Sequence, residues 1–334
     1  MIRGPQHDRL IQMICDQVPE GPGVYTFHGE RGEILYIGKA VNLRQRMLSH
    51  MRQDPKPDEV RHSRLVYEVR DFDHQTTVSE LPALLLEDEL IKTHRPRFNI
   101  RQNEFLEYKY LELSADEYPR LRMIDHEADF GDRPVFGPYR DRYLVDRILQ
   151  LIHQHIGLRS CPEPDPITSC LELDLGHCAG PCRKGVTPLD YQRVVARTVA
   201  FLDGDESDVA LHLQQAMAHS AEKYEFEKAQ RLKEHLEFCR RFGERQRFLH
   251  KFKERKLTVV EKGDHELTYV FLRGRLAAHG TAIELTECRS GGRTHIPSCS
   301  SNDARFLLDR ATIVHNWLRR NSDRCEHTFA ELDQ

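Results

Sequence analysis

Tryptophan is almost missing from this chain, with one in 334 residues. Long apolar runs are missing too. The longest apolar cluster, Leu81 to Leu86, is far short of the roughly 18 residues that a membrane-spanning helix needs. A helical membrane protein is thereby excluded. The start, MIRGPQHDRLIQ, has no apolar signal core, which argues against export and for a cytoplasmic protein. Strong charge of either sign is absent as well: 49 Lys and Arg against 53 Asp and Glu leave a net charge of −4. A wholesale basic surface is excluded, so contact with nucleic acid has to come from local patches. There is no internal repeat and no low-complexity tract. The length predicts about two domains and more than one core.

Cysteine is what the chain does have. Nine of them, an odd number without an export signal, argue against a disulfide scaffold. Cys161, Cys170, Cys178 and Cys182 fall in one short stretch. Cys15, Cys239, Cys288, Cys299 and Cys325 are scattered.

Hydrophobic patterning predicts a mixed domain at the front. Gly23 to Phe27 and Ile34 to Gly38 read as two strands of a hairpin around a Gly-containing turn. Ala40 to Met51 has helical spacing, with Leu43, Met47 and Met51 on one stripe. Leu65 to Val69 reads as a third strand. Ser79 to Thr93 reads as a helix with Ser79 as N-cap and Pro96 past its end. Further on, Tyr108 to Leu113 reads as a strand, Pro134 to Tyr139 as a turn and Tyr143 to His155 as a helix. The proline-rich cysteine stretch cannot hold a long regular element. Helices follow over 189–202, 209–223 and 226–248. Strands are predicted at 257–260, 267–272 and 281–285, and a last helix at 303–318.

The front domain carries the chemistry. Gly23-Val24-Tyr25 and Tyr36-Ile37-Gly38 on adjacent strands put two phenols on one face of a small sheet. Arg46 lies on the following helix. Glu87 shares a stripe with Leu84 and Ile91. A carboxylate among leucines is costly unless something compensates it, and a bound cation is one candidate. The spacing does not isolate Glu87, because Asp88 and Glu89 also have apolar neighbours. Asn99 follows twelve residues later.

Taken together, GVY, YIGKAVNLRQR, LLLEDELIK and RFN resemble the GIY-YIG nucleases, and within them the UvrC–Cho excinucleases. The resemblance continues through Phe136-Gly137-Pro138-Tyr139, Leu158-Arg159-Ser160-Cys161 and the cysteine cluster, over roughly residues 19 to 250. UvrC carries a second, RNase-H-like nuclease and tandem helix-hairpin-helix motifs. This chain stops before either, as in the shorter homologue Cho, which cuts on the 3′ side of a lesion.

The resemblance implies an α+β fold. A GIY-YIG domain over 15–103, a three-stranded antiparallel sheet flanked by helices, would precede a linker and four-cysteine region over 104–205. A UVR-like helical hairpin over 206–250 and a small, degenerate C-terminal α/β segment over 256–334 would follow. It also implies roles. Glu87 would hold one Mg²⁺ or Mn²⁺, which keeps several waters. Arg46 would brace the scissile phosphate and Lys39 would add a point charge. Tyr25 or Tyr36 would position or deprotonate the water, and Asn99 would order the site. In one departure His50 stands where UvrC commonly has a Tyr, and an imidazole can accept a proton or bond a phosphate.

The thiols, separated by eight, seven and three residues, lack the two CxxC knuckles of a zinc ribbon. Irregular spacing ending beside Pro181 suits an iron–sulfur site better. Zn²⁺ and free structural thiols remain the alternatives. The resemblance implies that Cys161, Cys170, Cys178 and Cys182 hold a [4Fe-4S] cluster.

Val209, Leu213 and Met217, then Phe226, Ala229, Leu232 and Leu236, predict an αα-hairpin with an apolar face on each helix. It resembles the motif with which UvrC meets UvrB, and an ordinary intrachain hairpin is the other reading. Eight cations, Lys39, Arg44, Arg46, Arg52, Lys92, Arg95, Arg97 and Arg101, would grip a duplex backbone without reading sequence. The expectation is a monomeric, metal-dependent endonuclease making the 3′ incision on damaged double-stranded DNA bearing UvrB, loaded with UvrA. The alternatives are a non-catalytic DNA- or UvrB-binding module and a free-standing GIY-YIG nuclease of recombination.

Overall fold

The computed structural model describes residues 5–52, 60–99, 108–125, 133–163, 170–183, 185–263, 265–281 and 304–332. The expected Thr281–Leu285 strand falls almost wholly outside these residues. Among the described residues the fold is α+β, with three antiparallel sheets.

The first sheet has the order β2-β1-β3, from β1 (Gly23–His28), β2 (Ile34–Ala40) and β3 (Asp71–Thr76). Alternation along β1 sends Tyr25 and Phe27 to one face and Val24 to the other. On the first face they join Leu10 and Ile14 of α1 (Pro5–Gln17) and Leu43, Met47 and Met51 of α2 (Leu43–Arg52). On the second face Val24 and Ile37 pack on Ala83, Leu86 and Ile91 of α4 (Glu80–His94).

The predicted third strand at Leu65 to Val69 is instead the end of a helix, α3 (Val60–Glu68). Leu65 and Val69 are four apart and both enter the core, so they follow a helical stripe. The real third strand is polar, DFDHQT, and buries only Phe72. It is an edge strand, where backbone pairing needs little apolar content.

The second sheet has the order β5-β4-β6, from β4 (Lys109–Leu113), β5 (Leu121–Asp125) and β6 (Val135–Tyr139). The run predicted as a turn is therefore strand β6. It takes the outer edge against β4, where a proline removes no ladder bond. Its core is shared with α5 (Arg142–His155), α7 (Pro188–Leu202), α8 (Ser207–Glu222) and α9 (Phe226–Glu254). As expected, the described residues of the cysteine stretch hold little regular structure, a single turn of helix, α6 (Leu171–Asp174).

The third sheet has the order β10-β7-β8-β9, from β7 (Lys256–Glu261), β8 (Leu267–Leu272), β9 (Arg275–Gly280) and β10 (Cys325–Ala330). It packs with α10 (Ala304–Arg320) around the fully buried Trp317. The C-terminal residues, expected to form a degenerate α/β segment, build a core together with Phe248 and Phe252 of α9. Leu81 of α4 is buried in that core as well. Among the described residues no helix is long and apolar enough to cross a membrane.

Helix α4 is consequently apolar on two sides, one for each core. Leu81→Ala, made in the nuclease helix, is expected to destabilise the chain by about 3 kcal/mol through the cavity left in the C-terminal core. Urea unfolding followed by circular dichroism measures it.

Candidate active site around Glu87

Strand β2 lies at the edge of the first sheet, so the backbone groups of Ile37 and Lys39 on its outer side lack a strand partner. Two side chains supply the partners. Asn99 accepts from the Ile37 N–H at 2.9 Å and donates to the Ile37 carbonyl at 2.7 Å. Glu87 Oε1 accepts from the Lys39 N–H at 3.0 Å. Asn99 is buried and its amide is spent on the strand. Glu87 Oε2 makes no hydrogen bond among the described residues.

Removal from water pushes the Glu87 carboxyl up to about 6, against the pull of the Lys39 N–H, the Lys39 charge and Arg46. A cation would relieve that cost, and one uncommitted carboxylate oxygen suits a hard ion that keeps water in most of its shell. The residues present fit Mg²⁺ or Mn²⁺. Among the described residues no three His, Cys, Asp or Glu side chains stand together as a ready metal cage, so the ion would depend on this one carboxylate.

Across the sheet Tyr25 faces Gly38, and Phe27 faces Tyr36. A Cβ on residue 38 would lie 2.6 Å from the Tyr25 hydroxyl oxygen and 2.8 Å from the Tyr36 ring. Glycine there is what lets the two rings approach, with centroids 6.1 Å apart. Tyr25 is fully buried and Tyr36 only partly. Burial raises the pKa of both phenols and so makes them weaker acids. For Tyr25 the neighbouring Tyr36 adds to this, for Tyr36 the Glu87 charge does, and Arg46 opposes in both cases. His50 is buried, with its ring 5.4 Å from that of Tyr36 and 5.9 Å from that of Tyr25. Its predicted neighbourhood is thus realised as packing among aromatic rings. Arg46 is exposed, one turn before His50 on α2. Lys39 Nζ is held by Glu80 at 2.5 Å, a partner without a signal in the sequence.

The expected eight-cation face is not what forms. Lys92 is interior, bridging Asp88 at 2.6 Å and Asp309 at 2.7 Å with its side chain 4% exposed. Arg44 pairs with Glu20 and Arg97 with Glu68. Arg46, Arg52 and Arg95 are exposed, and Arg101 lies outside the described residues. A lysine four residues from an aspartate on a helix makes a local pair, and the neighbouring α10 closes it in.

Cys161, Cys170, Cys178 and Cys182 are free thiols, none fully buried. Burial raises the Cys178 thiol, and the charges of the other three push the same way. Among the described residues these thiols do not stand together at ligand distance. Ala179 N–H bonds the Gly157 carbonyl at 2.8 Å, which pins this loop to the end of α5. The α8–α9 hairpin buries Val209, Leu213, Leu232 and Leu236. Phe226, predicted on that face, is instead 66% exposed beside Tyr224 at the tip, because it opens α9 beyond the reach of the core.

Residues 21–100 match the model of the UvrC-like GIY-YIG domain, and residues 108–201 that of the UvrC/Cho excinuclease middle domain. UvrABC system protein C of Syntrophomonas wolfei is 36% identical over 242 residues, covering 72% of this chain and 40% of that protein. Its counterpart in Dictyoglomus thermophilum is 31% identical over 276 residues, covering 80% and 45%. The chain thus spans less than half the length of these relatives. The N-terminal endonuclease domain of UvrC from Thermotoga maritima, solved with its catalytic magnesium, is 33% identical. That match covers 28% of this chain and 97% of the domain, with a TM-score of 0.24. The chain belongs to the UvrC/Cho excinuclease family, carrying its GIY-YIG domain and its middle domain in succession.

Proposed function

We propose that the chain is a divalent-cation-dependent endonuclease that nicks damaged double-stranded DNA on the 3′ side of the lesion, in DNA loaded with UvrB by UvrA. The observation that supports this best is Glu87. It is a desolvated carboxylate held by one oxygen at the edge of a sheet, on which Tyr25, Tyr36 and Gly38 come together.

Glu87 would hold Mg²⁺ or Mn²⁺, which when bound supplies positive charge to the phosphoryl oxygens and makes water more acidic. Arg46, exposed at the rim, would brace the scissile phosphate through its planar fork. Lys39 would add a point charge, tethered by Glu80. Both phenols hold their protons near neutral pH, so they act first as donors that orient water and phosphate. Tyr36, the more accessible, would touch the attacking water, and Tyr25 would support it from below. His50, whose ring packs on that of Tyr36, would hold the phenol in its orientation toward the water. Asn99 would keep the β2 backbone in place beneath them.

The cysteine cluster would hold a [4Fe-4S] centre as a staple for a loop-rich stretch with little apolar surface to bury. The exposed Tyr224 and Phe226 at the hairpin tip would be the contact to UvrB.

Three outcomes test this reading. Glu87→Ala and Arg46→Ala should each abolish nicking of a lesion-bearing duplex in the presence of UvrA, UvrB, ATP and Mg²⁺, with thermal unfolding still cooperative. Wild-type nicking by either variant would exclude the assignment.

The second concerns pH. The folded Glu87 carboxyl titrates at about 6 against an ordinary 4.5, so the native state binds this proton more tightly than the unfolded one. The stability it contributes is present below about 4.5 and lost as pH rises through about 6. In metal-free protein, Glu87→Gln should therefore be more stable than the parent by about 1–2 kcal/mol at about pH 8. The difference should vanish below about pH 4.5, as measured by urea unfolding across pH.

Third, protein purified without oxygen should show broad visible absorbance with matching iron and sulfide, both lost in Cys178→Ser. Zinc without sulfide would replace the iron–sulfur reading.

A further inference from the structure

Both ends of the helix that carries Glu87 are gripped by the C-terminal segment. At the start of α4, Ser79 occupies the N-cap position, yet its hydroxyl makes no cap bond to the helix. It donates instead to the Tyr269 hydroxyl of β8 at 2.6 Å, and Tyr269 donates to Glu261 of β7 at 2.6 Å. In between, Leu81, Leu84 and Leu85 pack into the core around Trp317. Near the end of α4, Lys92 lies between Asp88, one turn before it, and Asp309 of α10. Tyr108, just ahead of β4, donates to the same Asp309 oxygen that Lys92 contacts. Lys92 Nζ also sits 4.9 Å from the centre of the Phe306 ring.

This arrangement is costly to build without a purpose in placement. Lys92 and Asp309 are 4% and 9% exposed, and buried ion pairs are weak sources of stability. They are directional, however, and loss of one partner leaves the other charge stranded. Asp88 is the neighbour of Glu87 in the chain, and its charge adds to the upward push on the Glu87 carboxyl. Whatever fixes Lys92 fixes Asp88, and with it the rotation of the helix that presents Glu87 to the Lys39 N–H.

We propose that Asp309 is a positioning residue of the nuclease: through Lys92 and Asp88 it sets the helix that presents Glu87 to the cation. Through Asp309, α10 is then a brace for the metal site. The inference rests on the reading of Glu87 as the cation ligand.

The test is titration of the metal-free full chain with Mn²⁺, followed by calorimetry and by the electron paramagnetic resonance of free Mn²⁺. Asp309→Asn is expected to weaken binding about tenfold, the lower end of what loss of an outer partner does to a metal site. Tyr108→Phe, which removes one hydroxyl and keeps the ring, should weaken it less but in the same direction, and carries the test if Asp309→Asn does not fold. Phe329→Ala, a change in the C-terminal core away from the Lys92 cluster, should lower the melting temperature and leave Mn²⁺ affinity unchanged. Unaltered affinity in both Asp309→Asn and Tyr108→Phe overturns the proposal. An equal loss in Phe329→Ala also overturns it, by assigning the effect to stability alone. Glu87→Ala runs alongside. If it still binds Mn²⁺ like the parent, the reading of Glu87 itself fails. If it does not bind, while Asp309→Asn binds normally, only the role of Asp309 falls.

Discussion

The open edge of β2 is the constraint from which the site follows. A strand at the margin of a sheet presents backbone donors and acceptors that must find partners. In this chain they are met by an amide from one segment and a carboxylate from another. The carboxylate is thereby drawn into a desolvated position that it would not adopt alone, because burial of charge is unfavourable. It is held there by one oxygen. The same strand carries Tyr36 and Gly38 to the face where Tyr25 and His50 pack. One unsatisfied edge therefore sets the placement of the carboxylate and the orientation of the phenols together.

Helix α4 carries this constraint to the rest of the molecule. It is shared between two cores, with Ala83, Leu86 and Ile91 turned toward the first sheet and Leu81 toward the third. A helix apolar on two sides belongs in an interior. Glu87 and Asp88, adjacent in the chain, consequently face different neighbours: one the sheet edge, the other an ion cluster that reaches α10. The middle region meets the same cluster through Tyr108.

Much of the front domain was legible in advance. The hairpin of β1 and β2, the helix that follows, and α4 agree with the patterns of Val24, Phe27, Ile37, Met47 and Leu86, because each element buries a face with its own period. The misread elements share a cause. Leu65 and Val69 suit a strand by residue type but a helix by spacing. Strand β3 buries a single side chain, so its sequence carries almost no period. Strand β6 contains a proline that only an edge position accommodates, and edge position is a property of the assembled sheet.

What the sequence by itself determined was chemistry and local geometry: which side chains titrate, which positions alternate or repeat, and that two phenols share one face of a small sheet. Which carboxylate of Glu87, Asp88 and Glu89 meets the sheet edge, and whether Lys92 faces solvent or the interior, was decided only by tertiary structure. Those outcomes depend on neighbours that are distant in the chain, such as Ile37 for Asn99 and Asp309 for Lys92. A local pattern records the face of a helix but not what will be packed against it.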